Sequence, residues 1–200
     1  MSVKSIIKTI GKRLNNVWCS ESTMKSAFYK IRKELKMMGL LSEGSKLDKV
    51  KIFREFITND AWRGIGGAMG FYSFEDCNIH IPIICSVSLA PWCTGRCMTD
   101  VLHHEFGHAL QDKYPHLVSN NVFIKAFGDV CGESEIAKEG DENNYVSSYA
   151  RTNTQEDFAE TFMLYMKYKG KLPKEFSRRK AIKAKWAVVE SICLKVTKSR

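Results

Sequence analysis

Residues 103–108 read His-His-Glu-Phe-Gly-His, and this short stretch limits the fold more than any other part of the chain. Two histidines four residues apart, His104 and His108, share a face only if the backbone there is helical. The surroundings predict such a helix over 99–112: Val101, Leu102, Phe106, Ala109 and Leu110 form an apolar flank, and no proline intervenes before Pro115. Gly107 leaves room for close packing on the same helix.

His-Glu-x-x-His on a helix has the donors for one zinc ion. Neutral imidazoles bind zinc at about 2.0–2.1 Å and leave room for a third ligand and a water. Glu105, beside the first histidine, is placed to take a proton from that water, whose pKa zinc lowers to about 7. The third ligand decides whether such a site exists. The pattern His-Glu-x-x-His-x-x-Gly-x-x-His is excluded, because Gln111 and Tyr114 occupy its last two fixed positions. His116 and Asp112 are close in sequence, but Glu156 and Glu160 are better candidates. They stand four apart on a predicted second helix, with Phe158, Phe162 and Tyr165 as its apolar stripe. One carboxylate would bind the ion, and the other, a turn away, would accept a hydrogen bond from a ligand histidine. An acidic first turn on a surface helix is the plainer alternative. Glu133 and Glu135, in a polar acidic loop, are reserve ligands.

Taken together, His104-Glu105-Phe106-Gly107-His108-Ala109, then Tyr149, Glu156 and Phe158-Ala159-Glu160 resemble the catalytic domain of the anthrax lethal factor family of zincins, which includes the Pro-Pro endopeptidases. The resemblance covers roughly residues 60–195. It implies His104, His108 and Glu156 as zinc ligands, Glu105 as general base, Tyr149 as hydroxyl donor to the oxyanion, and Glu160 as hydrogen-bond partner of a ligand. A donor aimed at charge that develops only in the transition state is typically worth about 3 kcal/mol. The resemblance also implies an edge strand lining the cleft and pairing with extended substrate. If 78–85 is that strand, then Ile79, His80 and Ile81 line the substrate, although His80 by itself reads as a surface residue of an edge strand.

The rest of the chain is consistent with an α+β, zincin-like domain, mostly helical with a small sheet. Residues 1–60 read as a helical N-terminal extension packed on a catalytic domain of 61–200. Its helices are Val3–Val17, Ser22–Met38 stopped by Gly39, and a third opened by Ser45 and Asp48. In the second, Met24, Phe28, Ile31, Leu35 and Met38 form a core or docking stripe. Gly64, Gly66, Gly67 and Gly70 predict a turning loop, followed by strands at 71–74 and 78–85, with Pro82 favouring a sheet edge. Val118–Phe127 fits helix or strand. A last helix carries Ile182, Trp186, Val189, Cys193 and Val196 on one face.

Seven cysteines cannot all pair, and no secretory leader or membrane span is evident, so the expected setting is intracellular, either cytoplasmic or inside a target cell after delivery. Cys93 and Cys97 read as plain structural thiols. Charge is uneven: +7 over 1–60, −8 over 61–166 and +10 over 167–200. The basic ends, with Arg178, Arg179, Lys180, Lys183 and Lys185 as the strongest patch, would allow weak contact with nucleic acid or an anionic membrane. The acidic middle suits basic or neutral peptide segments.

The expected function is a zinc-dependent endopeptidase acting through a zinc-activated water on a protein or peptide in extended conformation, with one Zn2+ per chain. The alternatives are a non-enzymatic nucleic-acid- or membrane-binding module with structural zinc, and a catalytically silent zincin relative. Structural zinc sites usually have four protein ligands, commonly cysteines. Three ligands with a base and a tyrosine favour catalysis.

Overall fold

A computed structural model describes residues 21–57, 70–84, 98–128 and 141–198. Outside them lie the expected helix Val3–Val17, three of the four loop glycines, the reserve ligands Glu133 and Glu135, and five of the seven cysteines.

Helix α1, Glu21–Met37, turns Met24, Ala27, Ile31 and Leu35 into the core. It ends in a Schellman turn: Leu40 N–H bonds Leu35 O, Gly39 N–H bonds Lys36 O, and Gly39 adopts φ +74°, a conformation costly for any residue with a Cβ. The third helix expected from Ser45 is only a 3-10 turn at Lys46–Lys49. Strand β1, Ile52–Ile57, follows it. Its Ile-Phe-Arg-Glu-Phe-Ile run is rich in β-formers, and with a partner strand beside it this segment corrects the expectation that 1–60 is helical throughout.

That partner is β3, Asn78–Ile84, which runs parallel to β1, while the short β2, Phe71–Ser73, lies antiparallel on its other side. The order is β1-β3-β2. The described part of 1–60 therefore shares one sheet with residues 71–84. The order also corrects the expectation that 78–85 is an edge strand. Ile79 N–H bonds Lys51 O on the β1 side, so by alternation the backbone nitrogens of His80 and Pro82 face β2. The last described β2 pair is Phe71–His80, so the donor that Pro82 lacks falls beyond the described ladder.

One face of the sheet, with Ile79, Ile81 and Tyr72, packs inward. Against it lies helix α2, Met98–Lys113, the centre of the molecule, with every residue from Val101 to Gln111 buried. The short helices α3, Pro115–Val118, and α4, Asn121–Phe127, lead away from it, so 118–127 is mainly helical. Helix α5, Thr154–Lys167, crosses α2, and Phe158 joins Phe123 and Phe127 in an aromatic cluster with centroids 4.9–5.6 Å apart. Helix α6, Lys180–Lys198, closes the core with Ile182, Trp186, Val189, Cys193 and Val196, the face expected from its spacing.

Lys185 is not part of the basic surface. It is buried, and its ammonium donates to Asp157 Oδ2 at 2.7 Å and Asn144 O at 2.8 Å, with the Tyr145 ring centroid 4.2 Å away. Arg178, Lys180 and Lys183 are exposed. No helix among the described residues is long and apolar enough to cross a membrane.

Candidate metal centre

The α2–α5 crossing builds the site. At Gly107 an added Cβ would lie 2.9 Å from the Ala159 Cα and 3.3 Å from its Cβ, so the helices approach as closely as their backbones allow. The contact falls between His104 and His108 on one helix and between Glu156 and Glu160 on the other. Asn153 fixes where α5 begins: its side chain accepts the Glu156 N–H at 2.8 Å, a cap that places Glu156 in the first turn, facing α2.

Three donor atoms converge there. His104 Nε2 and His108 Nε2 are 3.1 Å apart, and Glu156 Oε2 lies 3.0 Å from the first and 3.4 Å from the second. A tetrahedral zinc with bonds of about 2.0–2.1 Å spaces its ligands by about 3.3 Å, so the triangle has the right size. Its electronic state fits as well. His104 Nδ1–H donates to Glu160 Oε1 at 2.8 Å and His108 Nδ1–H donates to Gln111 Oε1 at 3.1 Å. Nε2 of each ring is then the nitrogen directed at the other ring and at a carboxylate oxygen, and it becomes a metal donor when it carries no proton. Glu156 Oε2 is buried, and the two imidazoles are its polar neighbours. Three electron-rich atoms this close, taken out of water, call for a positive charge between them.

The ionisation of the residues shows the same demand. Burial alone would lower the His104 pKa, yet the Glu156 and Glu160 carboxylates carry it up to about 10. Glu156 is also buried, which would raise it, but the two imidazoles hold it well below the usual carboxylate range. Glu105, deeply buried on α2, is pushed upward by desolvation against the pull of His104 and His108. Its carboxylate accepts the backbone N–H of Tyr72. That bond uses the open side of β2, so the strand edge beside the candidate base belongs to β2.

Each expected site residue now has a place. His104, His108 and Glu156 come together as one possible metal group. Glu160 is fully buried behind His104. Tyr149 opens a 3-10 turn, with its ring centroid 5.8 Å from that of His104 and 44% of its surface exposed. Ile79, His80 and Ile81 are not placed to line a cleft. Both isoleucines are fully buried, their backbone nitrogens face β1, and His80 is paired with Phe71. The His80 ring is taken as well, bonded through Nδ1 to Glu55 and through Nε2 to Asp76 at 3.0 Å and stacked on Phe71 at 5.0 Å. His103 turns away from the site and bonds Glu34 of α1 at 2.9 Å.

Sequence reasoning missed two supporting residues. Gln111 lies three positions beyond His108, on the same helical face, and its spacing was a usable signal. Ser147, whose hydroxyl donates to Glu160 Oε2 at 2.6 Å, had no signal at all. The chain matches no protein-family model, no curated protein and no solved structure, so the function rests on the chemistry of the site itself.

Proposed function

We propose that this chain is a zinc-dependent endopeptidase of the zincin type that hydrolyses bonds of a protein or peptide bound in extended form. The observation that carries this reading is the triangle of His104 Nε2, His108 Nε2 and Glu156 Oε2 at 3.0–3.4 Å, with the Glu105 carboxyl on the same helix. Bound zinc would supply Lewis acidity to polarise a peptide carbonyl and acidify a water.

The chain's own groups do the rest. Nδ1 bonds to Glu160 and Gln111 fix both ligand imidazoles in the tautomer that presents Nε2. Glu105 takes a proton from the attacking water on its carboxylate and delivers it to the leaving amine. Its raised proton affinity suits both halves of that transfer. Tyr149 offers its hydroxyl to the oxygen that gains charge. Three protein ligands leave a coordination position open, which a structural site would fill with a fourth. The exposed cations at Arg178, Lys180 and Lys183 would add weak, salt-dependent contact with nucleic acid or an anionic membrane.

The test pairs zinc content with cleavage of a peptide library for wild type, Glu105→Gln and Glu156→Ala. About one zinc per chain in wild type and in an inactive Glu105→Gln, with loss in Glu156→Ala, is the expected result. A wild type that takes up no zinc, or a Glu105→Gln variant that cleaves as well as wild type, would refute it.

A further inference from the structure

Glu160 has both oxygens engaged in different directions. Oε1 accepts from His104 Nδ1 at 2.8 Å and Oε2 accepts from Ser147 Oγ at 2.6 Å, with the side chain wholly buried on α5. The same Ser147 oxygen accepts the Ala150 N–H at 3.1 Å. A hydroxyl has one hydrogen to give, so with Ser147 donating to Glu160 its lone pairs serve the turn. Tyr149 sits between Ser147 and Ala150, in the 3-10 turn Tyr149–Arg151. Tyr149 is 44% exposed, and its ring centroid stands 5.8 Å from that of His104.

We propose that Ser147 is a positioning residue that fastens the Tyr149 turn to the carboxylate orienting His104, so that one hydroxyl sets the tyrosine relative to the metal-binding face. The part of this inference that concerns activity rests on the peptidase reading; the placement of Tyr149 does not. Removing the hydroxyl leaves a buried carboxylate oxygen without that donor and the Ala150 N–H without that acceptor. The turn then loses its tie to Glu160, and Tyr149 is displaced while Glu156 and the α2 histidines stay on their helices. A serine serving stability alone would lower the melting temperature of the chain without any special link to Tyr149.

The experiment uses Ser147→Ala, Ser147→Thr, Tyr149→Phe and the Ser147→Ala/Tyr149→Phe double variant. 3-Fluorotyrosine at position 149 reports the ring's surroundings by fluorine NMR in the metal-free protein. Ser147→Ala should shift and broaden that resonance, and Ser147→Thr, which keeps the hydroxyl, should restore it. In the zinc-loaded enzyme kcat should fall about tenfold in Ser147→Ala, with KM changed by less than about twofold. In the Tyr149→Phe background the same substitution should change kcat by less than about twofold, because the group it positions is gone. An unmoved fluorine resonance in Ser147→Ala, or losses that multiply in the double variant, would overturn the assignment. If the zinc-loaded wild type cleaves no peptide, the peptidase reading fails while the fluorine result still decides the placement.

Discussion

Among the described residues His80 and His104 are each set between carboxylates, and they behave as opposites. His80, on the outer face of the sheet, gives one ring nitrogen to Glu55 and the other to Asp76, and each carboxylate is about two-fifths exposed. His104, at the helix crossing, gives Nδ1 to the buried Glu160 and directs Nε2 at Glu156, an oxygen it shares with His108. At His80 each ring nitrogen has a carboxylate of its own, so the polar contacts close within the triad. At His104 one carboxylate oxygen faces two ring nitrogens, so three possible metal donors converge on one point. The same residue types therefore make a closed polar staple in one place and a convergent donor set in the other. What separates them is that one carboxylate is divided between two imidazoles.

The comparison is broken most severely by Glu156→Ala. Zinc affinity, measured by chelator competition, should fall by more than about 100-fold, beyond the 10–100-fold typical of losing an outer hydrogen-bond partner. Gln111→Ala and Glu160→Gln test that outer layer, and each should weaken zinc by roughly 10–100-fold while leaving about one ion bound at saturation. Zinc affinity equal to wild type in both of these variants would mean that the histidines need no orientation. His80→Ala sharpens the contrast from the other side. It should cost about 1 kcal/mol in denaturant unfolding, as expected for losing side-chain hydrogen bonds, with zinc affinity unchanged. A change in zinc binding there would end the distinction drawn between the two clusters. The smallest effect concerns Cys193 on α6, whose thiol burial pushes up to about 12. The thiolate is the reactive form, and in the unfolded chain it appears near the ordinary pKa of about 8.5. Alkylation at pH 9 should therefore label Cys193 only after denaturant is added, which mass mapping would show.

The helix pair was legible because its information is local. Histidines four apart, glutamates four apart and an apolar stripe beside each specify a face without knowledge of the partner. The α6 face was legible for the same reason. The failures all involve residues whose role is set by something distant in sequence. Ile52–Ile57 became a strand because β3 lies beside it, and Pro82 sits in the middle strand with its missing donor beyond the described β2 ladder. Lys185 reads as one more cation of a basic run until Asp157 and Asn144, 28 and 41 residues away, are brought to it. Ser147 is an ordinary loop serine until Glu160 turns an oxygen towards it.

Gly107 gives the crossing a mechanical meaning. The span across which three ligand atoms face one another is set by the thickness of two backbones at Gly107 and Ala159, with no side chain at Gly107 between them. The helix pair thus works as a calliper whose jaws carry the donors some distance from the point of contact. A single methyl inserted at the contact wedges the jaws apart and spoils the fit without touching a ligand. Such a site is selected as much by the residue that is missing from its centre as by the histidines and glutamate that mark it in the sequence.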